Sequence, residues 1–344
     1  MIAALLKEID IQQNYLGDEQ VETVYIGGGT PSLLDISELK SIGDAIKKNF
    51  RVSPAAEITL EANPDDITEA LLEGWQQAGI NRLSIGIQSF FDEDLKWMNR
   101  AHNAAQAENG LLLASRYFSN ITIDLIYGSP LLDNEKWRQN LEKILSFQVP
   151  HISCYALTVE PRTSLFRMIN TGKTENIDPA RQSEQFLLLM QWLSEAGYEH
   201  YEISNFAKPG YRSRHNSSYW KGKKYLGLGP SAHSFDGKSR QWNIANNARY
   251  IDALKKETLS FEREVLTEKQ QINEYIMISL RTLEGLDLAF IEKKFGAEKK
   301  EELVRASQKY IDTGKLIRGD GGQLFLSREG KLFADGITSD LFTV

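Results

Sequence analysis

The chain has 344 residues, of which 41% are hydrophobic and 25% charged, with a formal net charge of −7. That length suits one large domain and a smaller one, and the composition is ordinary for a globular protein. The acidic balance disfavours broad nucleic-acid binding, no apolar run reaches the length of a membrane span, and the single cysteine, Cys154, excludes internal disulfides and any multi-cysteine metal site built from this chain alone. The expected compartment is the cytoplasm.

Ile2, Leu5, Leu6 and Ile9 fall at helical spacing and predict an opening helix. A strand is predicted at Val21–Ile26, and Gly27, Gly28, Gly29, Thr30 and Pro31 follow it directly. Three glycines after a strand allow positive φ and a close approach of backbone to a ligand. Their amides can hold a carboxylate and their carbonyls an ammonium group. From there helix and strand alternate. Leu39, Ile42 and Ile46 mark a helix, and residues 57–61 a strand. Asp66 and Glu69 resemble a capping box for a helix carrying Leu71, Leu72 and Trp75, which Gly79 ends. Further strands are predicted at 82–87, 121–126, 151–157 and 198–203, with helices at Ala104–Tyr117, around Trp137 to Leu145, and at 179–196.

Such alternation predicts an α/β fold with a parallel sheet and right-handed crossovers. If the sheet curls into a barrel, ligand groups gather at the C-terminal strand ends. Gly27, Gly28 and Gly29, then Glu61, Gln88 and Asp124, all fall at or near such ends. A βα unit should begin with a strand, and here that strand would precede Met1. The expectation is therefore a partial barrel lacking its first strand, from a fragment or a shortened fold. Its open edge beside Val21–Ile26 should make it less soluble than a version extended upstream. Residues 208–236 are rich in Gly, Ser, Tyr and basic groups and read as an ordered loop region on the barrel. From about Leu266 three helical stretches precede a short strand at Leu324 to Leu326, which suggests a winged-helix-like C-terminal domain. The predicted divisions are 1–206, 207–260 and 261–344.

Several segments in fixed order carry a resemblance: 24–34 (VYIGGGTPSLL), 61–64 (EANP), 79–90 (GINRLSIGIQSF), 124–130 (DLIYGSP), 151–157 (HISCYAL) and 201–235, with its HNSSYW stretch. Together they resemble the HemW-type haem chaperones, relatives of the oxygen-independent coproporphyrinogen III oxidases among the radical S-adenosylmethionine (SAM) proteins. The resemblance covers nearly the whole chain. It implies a partial (βα)6 TIM-like barrel with SAM bound across the strand ends by Gly27, Gly28, Gly29, Thr30, Glu61, Gln88, Arg100 and Asp124. Carboxylates suit the ligand's hydroxyls and positive charge, and Arg100 suits its carboxylate. The sequence leaves open which of Glu61, Arg100 and Asp124 meets which end. In bland readings Glu61 is a turn residue, Arg100 a surface ion pair and Asp124 a helix cap.

The resemblance also implies a [4Fe-4S] cluster on a Cys-x-x-x-Cys-x-x-Cys motif that this chain does not contain. Cys154 reads as a core thiol and cannot replace that motif. No catalytic residue is therefore assigned, and SAM cleavage is not expected of this chain. His215, Tyr219 and Trp220 match the family's HNxxYW motif, which implies haem binding with His215 as candidate iron ligand. The alternative is a hydrogen-bonded loop histidine with Trp220 as an anchor. His233 is a second, weaker candidate, His151 reads as structural and His102 as a surface or helix-start residue. The implied partners are haem or porphyrin and acceptor haemoproteins, a membrane-associated acceptor among them, with no nucleic acid. The alternative function is a coproporphyrinogen III oxidase of porphyrin biosynthesis. Departures from the family pattern are Asn99 and Arg162, where Gly is common, and Ser129, where Leu is common.

Overall fold

The computed structural model describes residues 1–343. Its centre is a sheet of seven strands: β1 (Val21–Ile26), β2 (Val52–Ala62), β3 (Arg82–Gln88), β4 (Ile121–Tyr127), β5 (His151–Ala156), β6 (Glu199–Glu202) and β7 (Asn205–Ala207). They lie in the order β1-β2-β3-β4-β5-β7-β6. The first five run parallel. Helices Ile36–Asn49, Glu69–Gln77, Ala104–Tyr117 and Asn134–Ser146 occupy the crossovers between them.

Alternate residues of a strand face opposite sides of its sheet. Leu60, Leu83, Ile85, Ile123, Leu125, Ile152 and Cys154 are buried in one apolar cluster with the helix residues Trp75, Leu111, Trp137 and Leu189. The residues between them are polar: Glu57, Thr59 and Glu61 on β2, Arg82 and Ser84 on β3, Thr122 and Asp124 on β4, His151 and Ser153 on β5. The sheet is therefore held by its helix-covered face and curls around a polar interior. Arg82, 2% exposed, donates to Asn120 Oδ1 (2.6 Å) and to Thr122 Oγ1, and lies 3.9 Å from Glu57.

The last strand departs from expectation. Residues 198–203 do not join the sheet beside β5; β7 intervenes and pairs antiparallel with both β5 and β6. The Glu202 carboxylate accepts from Ser204 N (2.9 Å) and Asn205 Nδ2 (2.6 Å), which folds the chain back at once. A second difference concerns the start of the second crossover helix, Glu69–Gln77. Thr68 is the N-cap, accepting from Leu71 N (3.3 Å), whereas Asp66 accepts from Ser32 Oγ (2.6 Å) and so ties the turn after β1 to the loop after β2. The short helices Asp92–Trp97 and Ser164–Asn170 were also not foreseen.

The opening helix Ile2–Ile11 packs against Ile36–Asn49 and Asn247–Lys255. Its buried Glu8 accepts from Gly229 N (2.7 Å), Asn243 Nδ2 (2.6 Å) and Tyr250 OH (2.6 Å). A small antiparallel sheet comprises His233–Phe235, Ser239–Asn243 and Phe261–Val265. Toward the C-terminus, helices Glu268–Leu280, Leu288–Phe295 and Ala297–Asp312 and a three-stranded sheet share a separate apolar cluster that includes Ile276, Leu303 and Leu324. Arg281 joins this region to β6 through Glu202 (2.9 Å). Among the described residues no helix is long and apolar enough to cross a membrane.

Candidate ligand-binding sites

At the C-terminal strand ends the glycine turn is built in two ways. Gly28 (φ +80°) and Gly29 (φ +67°) occupy the left-handed region. Gly27 does not, but a Cβ there would stand 2.6 Å from the Tyr25 ring and 2.8 Å from the Glu61 carboxyl group. The space is filled by a bonded pair. Tyr25 OH donates to Glu61 Oε1 (2.7 Å), and Gly28 N donates to Glu61 Oε2 (3.0 Å). Glu61 thus fixes the turn through both oxygens. Thr30 ends the turn and makes no side-chain capping bond.

Gln88 closes β3 at φ +66°, beside a break in the β3–β4 register. A left-handed Gln costs on the order of 1–3 kcal/mol and marks a position where side-chain placement outweighs backbone comfort. Asp124 is half-buried beside the Ser84 hydroxyl (3.4 Å). Burial, reinforced by the Glu61 charge, pushes its carboxyl up to about 6. Arg100 donates to Asn63 Oδ1 (3.2 Å), and its buried Nε has no partner. Between these strand ends lies a cavity of about 380 Å³ lined by Gln88, Asp124, Ile126, Tyr155, Ala156, Leu157 and Thr158.

This donor set fits SAM. The orphaned Arg100 Nε–H is a free donor suited to a carboxylate. Asp124 offers carboxylate oxygens to hydroxyls, and Ile126, Ala156 and Leu157 supply an apolar wall suited to a flat base. An iron–sulfur cluster does not fit this chain. Its one thiol, Cys154, is 1% exposed in β5 and pushed well up by burial. Among the described residues no group of three or more His, Cys, Asp or Glu side chains could hold a metal ion.

The second group lies toward the starting ends of the strands, on helix Arg214–Trp220. Ser213 caps it, accepting from Asn216 N (3.2 Å). Glu57 then receives two of its free amides, Arg214 N at Oε2 (3.2 Å) and His215 N at Oε1 (3.0 Å). Arg214 reaches Ala55 O (2.6 Å) and Glu22 (2.8 Å). The helix therefore docks into the polar interior through β1 and β2. There the His215 ring stacks on Tyr25 (4.9 Å, 24°), with Nδ1 2.9 Å from Thr23 Oγ1 and Nε2 3.0 Å from Tyr219 OH. Burial lowers His215 to about 4, so its imidazole is neutral at physiological pH.

The structure brings His215 and Tyr219 together and sends Trp220 elsewhere. Trp220 packs on the Arg281 guanidinium (5.5 Å), and its buried indole Nε1 has no partner. Tyr25 is the residue the sequence reading missed. The alternation of Thr23 and Tyr25 with Val24 and Ile26 places it on the polar face. His102 is not a surface residue; it is 3% exposed and bonds Ile87 O (3.0 Å). His151 is buried against Tyr201 OH (2.7 Å), and His233 is exposed on the small sheet near Trp242. Asn99 (φ +55°) and Arg162 (φ +70°), which stand where glycine was expected, both hold the left-handed conformation that glycine takes without strain.

Residues 4–144 match the radical SAM superfamily and residues 266–333 the HemN C-terminal domain. The chain is 31% identical to the heme chaperone HemW of Bacillus subtilis, over 93% of this chain and 85% of that one. It is 33% identical to the heme chaperone HemW of Mycobacterium tuberculosis, over 99% and 85%. Among solved structures, coproporphyrinogen III oxidase (HemN) of Escherichia coli, a radical SAM enzyme, superposes with a TM-score of 0.85 at 23% identity, over 99% of this chain and 82% of that one, a likeness of fold. The partial barrel with its helical C-terminal region and the extent of the sequence matches agree: the chain belongs to the HemW family of the radical SAM superfamily.

Proposed function

We propose that this chain binds haem at the Arg214–Trp220 helix, holds SAM at the opposite strand ends, and passes haem to acceptor haemoproteins of the cytoplasm or its membrane. The observation that carries this reading is the neutral, stacked His215 imidazole within an H-N-x-x-Y-W helix. A neutral ring nitrogen is what iron ligation requires. The coproporphyrinogen oxidase alternative has less support, since the oxidase structure shares the fold at 23% identity. SAM, when bound, supplies a sulfonium and a charged amino-acid head. This chain's residues bind and orient it, and no radical step is assigned, because one buried thiol is no ligand set for a cluster.

Haem and SAM binding are each tested by titration of the purified chain, following the Soret band for haemin and heat for SAM. Neither ligand binding at micromolar concentration would refute the reading. Iron can reach His215 Nε2 only when the Tyr219 hydroxyl leaves it, and Tyr219 is 38% exposed on the next helical turn. Tyr219→Phe is therefore expected to tighten haemin binding about three- to tenfold, the value of one ordinary hydrogen bond. Weaker binding would instead make Tyr219 a haem contact.

Asp124 gives the SAM site a pH dependence. Its folded value, about 6, lies above the ordinary 3.8. Between those values the folded protein keeps a proton that the unfolded chain has released, so stability falls as pH rises through the window. A ligand whose hydroxyls need the carboxylate gains affinity over the same rise. SAM binding should strengthen from pH 5 to 7. Asp124→Asn should weaken it about ten- to a hundredfold at pH 7 and flatten the profile. An unchanged profile in the variant would remove Asp124 from the site.

A further inference from the structure

The proposed SAM and haem sites are linked by a single side chain. Tyr25 donates its hydroxyl to Glu61 at one end and stacks its ring on His215 at the other. We propose that Tyr25 is a positioning residue that couples the two sites, so that a nucleoside ligand at the strand ends tightens haem binding at His215. This rests on the functional reading above.

Glu61 has both oxygens engaged, by Tyr25 OH and by Gly28 N. A ligand ammonium or hydroxyl that donates to a remaining lone pair of Glu61 draws the carboxylate toward itself, and the oxygen that takes the tyrosine hydroxyl moves with it. The hydroxyl stays protonated throughout, since burial and the Glu61 charge push it up. Tyr25 can therefore answer only by moving. Its ring is rigid, so moving the hydroxyl shifts the face that packs on His215. The His215 ring is held by three contacts: that stack, Thr23 Oγ1 and the Tyr219 hydroxyl. Loosening the stack lets the imidazole turn away from Tyr219, and Nε2 becomes open to iron. Gly27 is part of the device. A side chain there would occupy the space in which Tyr25 meets Glu61. Linkage makes the effect reciprocal, so haem must tighten the nucleoside by the same factor.

The test is a two-ligand cycle on the full chain. Haemin is titrated with and without saturating S-adenosylhomocysteine, which carries the amino-acid head and ribose but no sulfonium. The wild type should bind haemin at least fivefold more tightly when the nucleoside is present. Tyr25→Phe, which keeps the ring and loses the hydroxyl, should show less than a twofold difference. A measurement on the wild type alone guards against misfolding of the variant. The ¹⁵N imidazole resonances of His215, identified by their loss in His215→Gln, should shift when S-adenosylhomocysteine is added without haem. If both ligands bind and haemin affinity is unchanged or weakened, or if Tyr25→Phe keeps the full effect, the coupling is wrong and the functional reading stands. If neither ligand binds the wild type, both fall.

Discussion

Replacing Glu57 with alanine should cost about 3–5 kcal/mol of stability and loosen the His215 helix from the barrel. Glu57 is 5% exposed and has two kinds of partner. Its oxygens take the amides of Arg214 and His215, and its charge faces Arg82 across 3.9 Å. Removing it leaves a buried guanidinium with only the neutral acceptors Asn120 and Thr122, and orphans two helix-end amides. A buried charge without its counter-charge costs more than the pair itself contributes. Glu57→Gln keeps the volume but turns an amide donor toward one helix N–H, so an intermediate loss of about 2 kcal/mol is expected. Urea denaturation measures both. The two variants should also bind haemin more weakly under conditions where they remain folded. A loss below about 1 kcal/mol in Glu57→Ala would mean that Asn120 and Thr122 suffice for Arg82.

Gly27→Ala should remove SAM binding by at least about tenfold, while Gly28→Ala should act by a different route. The added methyl at position 27 meets the Tyr25 ring at 2.6 Å and Glu61 at 2.8 Å. Neither neighbour is a free surface side chain, because each holds the other. Relieving the clash separates them, at about 1–3 kcal/mol for overpacking. Glu61 is then displaced from the turn, and Tyr25 from His215. At Gly28 nothing lies within 4 Å of an added Cβ, and the cost is the left-handed backbone alone, about 1 kcal/mol. Gly27→Ala should therefore weaken SAM binding while leaving haemin binding unchanged or tighter, because the displaced Tyr25 no longer holds His215, and Gly28→Ala should weaken SAM alone. Calorimetry with each ligand separates the two cases. Wild-type SAM affinity in Gly27→Ala would show that the turn moves aside without consequence.

The gathering of the candidate residues at the strand ends was legible from the sequence because its signals are local. A glycine run after a strand, and polar residues at the ends of predicted strands, need only the order of elements to be placed together. The pattern also predicted the parallel core, since β-branched alternation such as that of Ile121 and Ile123 with Thr122 repeats from strand to strand. What it did not expose are contacts between distant residues. Nothing in 23–25 announces that Thr23 and Tyr25 will meet His215, almost two hundred positions later. The same holds for Glu57 and the amides of the 214–220 helix. The β6–β7 reversal was missed because two short strands joined by Ile203 and Ser204 look like one strand and a loop. His102 stands at a helix start, as one of its two expected places has it, but its burial was not legible because its partner, the Ile87 carbonyl, lies on another element. The glycine departures at Asn99 and Arg162 were visible as composition, but only the backbone angles show that both positions demand φ above zero.

The two sites also differ in when they can exist. All the residues assigned to the strand-end pocket lie between Gly27 and Thr158, so they leave the ribosome together, ahead of the C-terminal half of the chain. The His215 site joins residues 192 apart in sequence, Thr23 and His215. Closing so long a loop is slow compared with pairing neighbouring strands. A nascent chain should thus complete the proposed nucleoside pocket first, while a polar, unplugged barrel awaits the 214–220 helix. Haem cannot be captured in the proposed manner until that helix has docked, so a partly made chain would not sequester it. In the finished protein the same order should run backwards. The helix is the segment expected to detach first, before the sheet loses any of its strands.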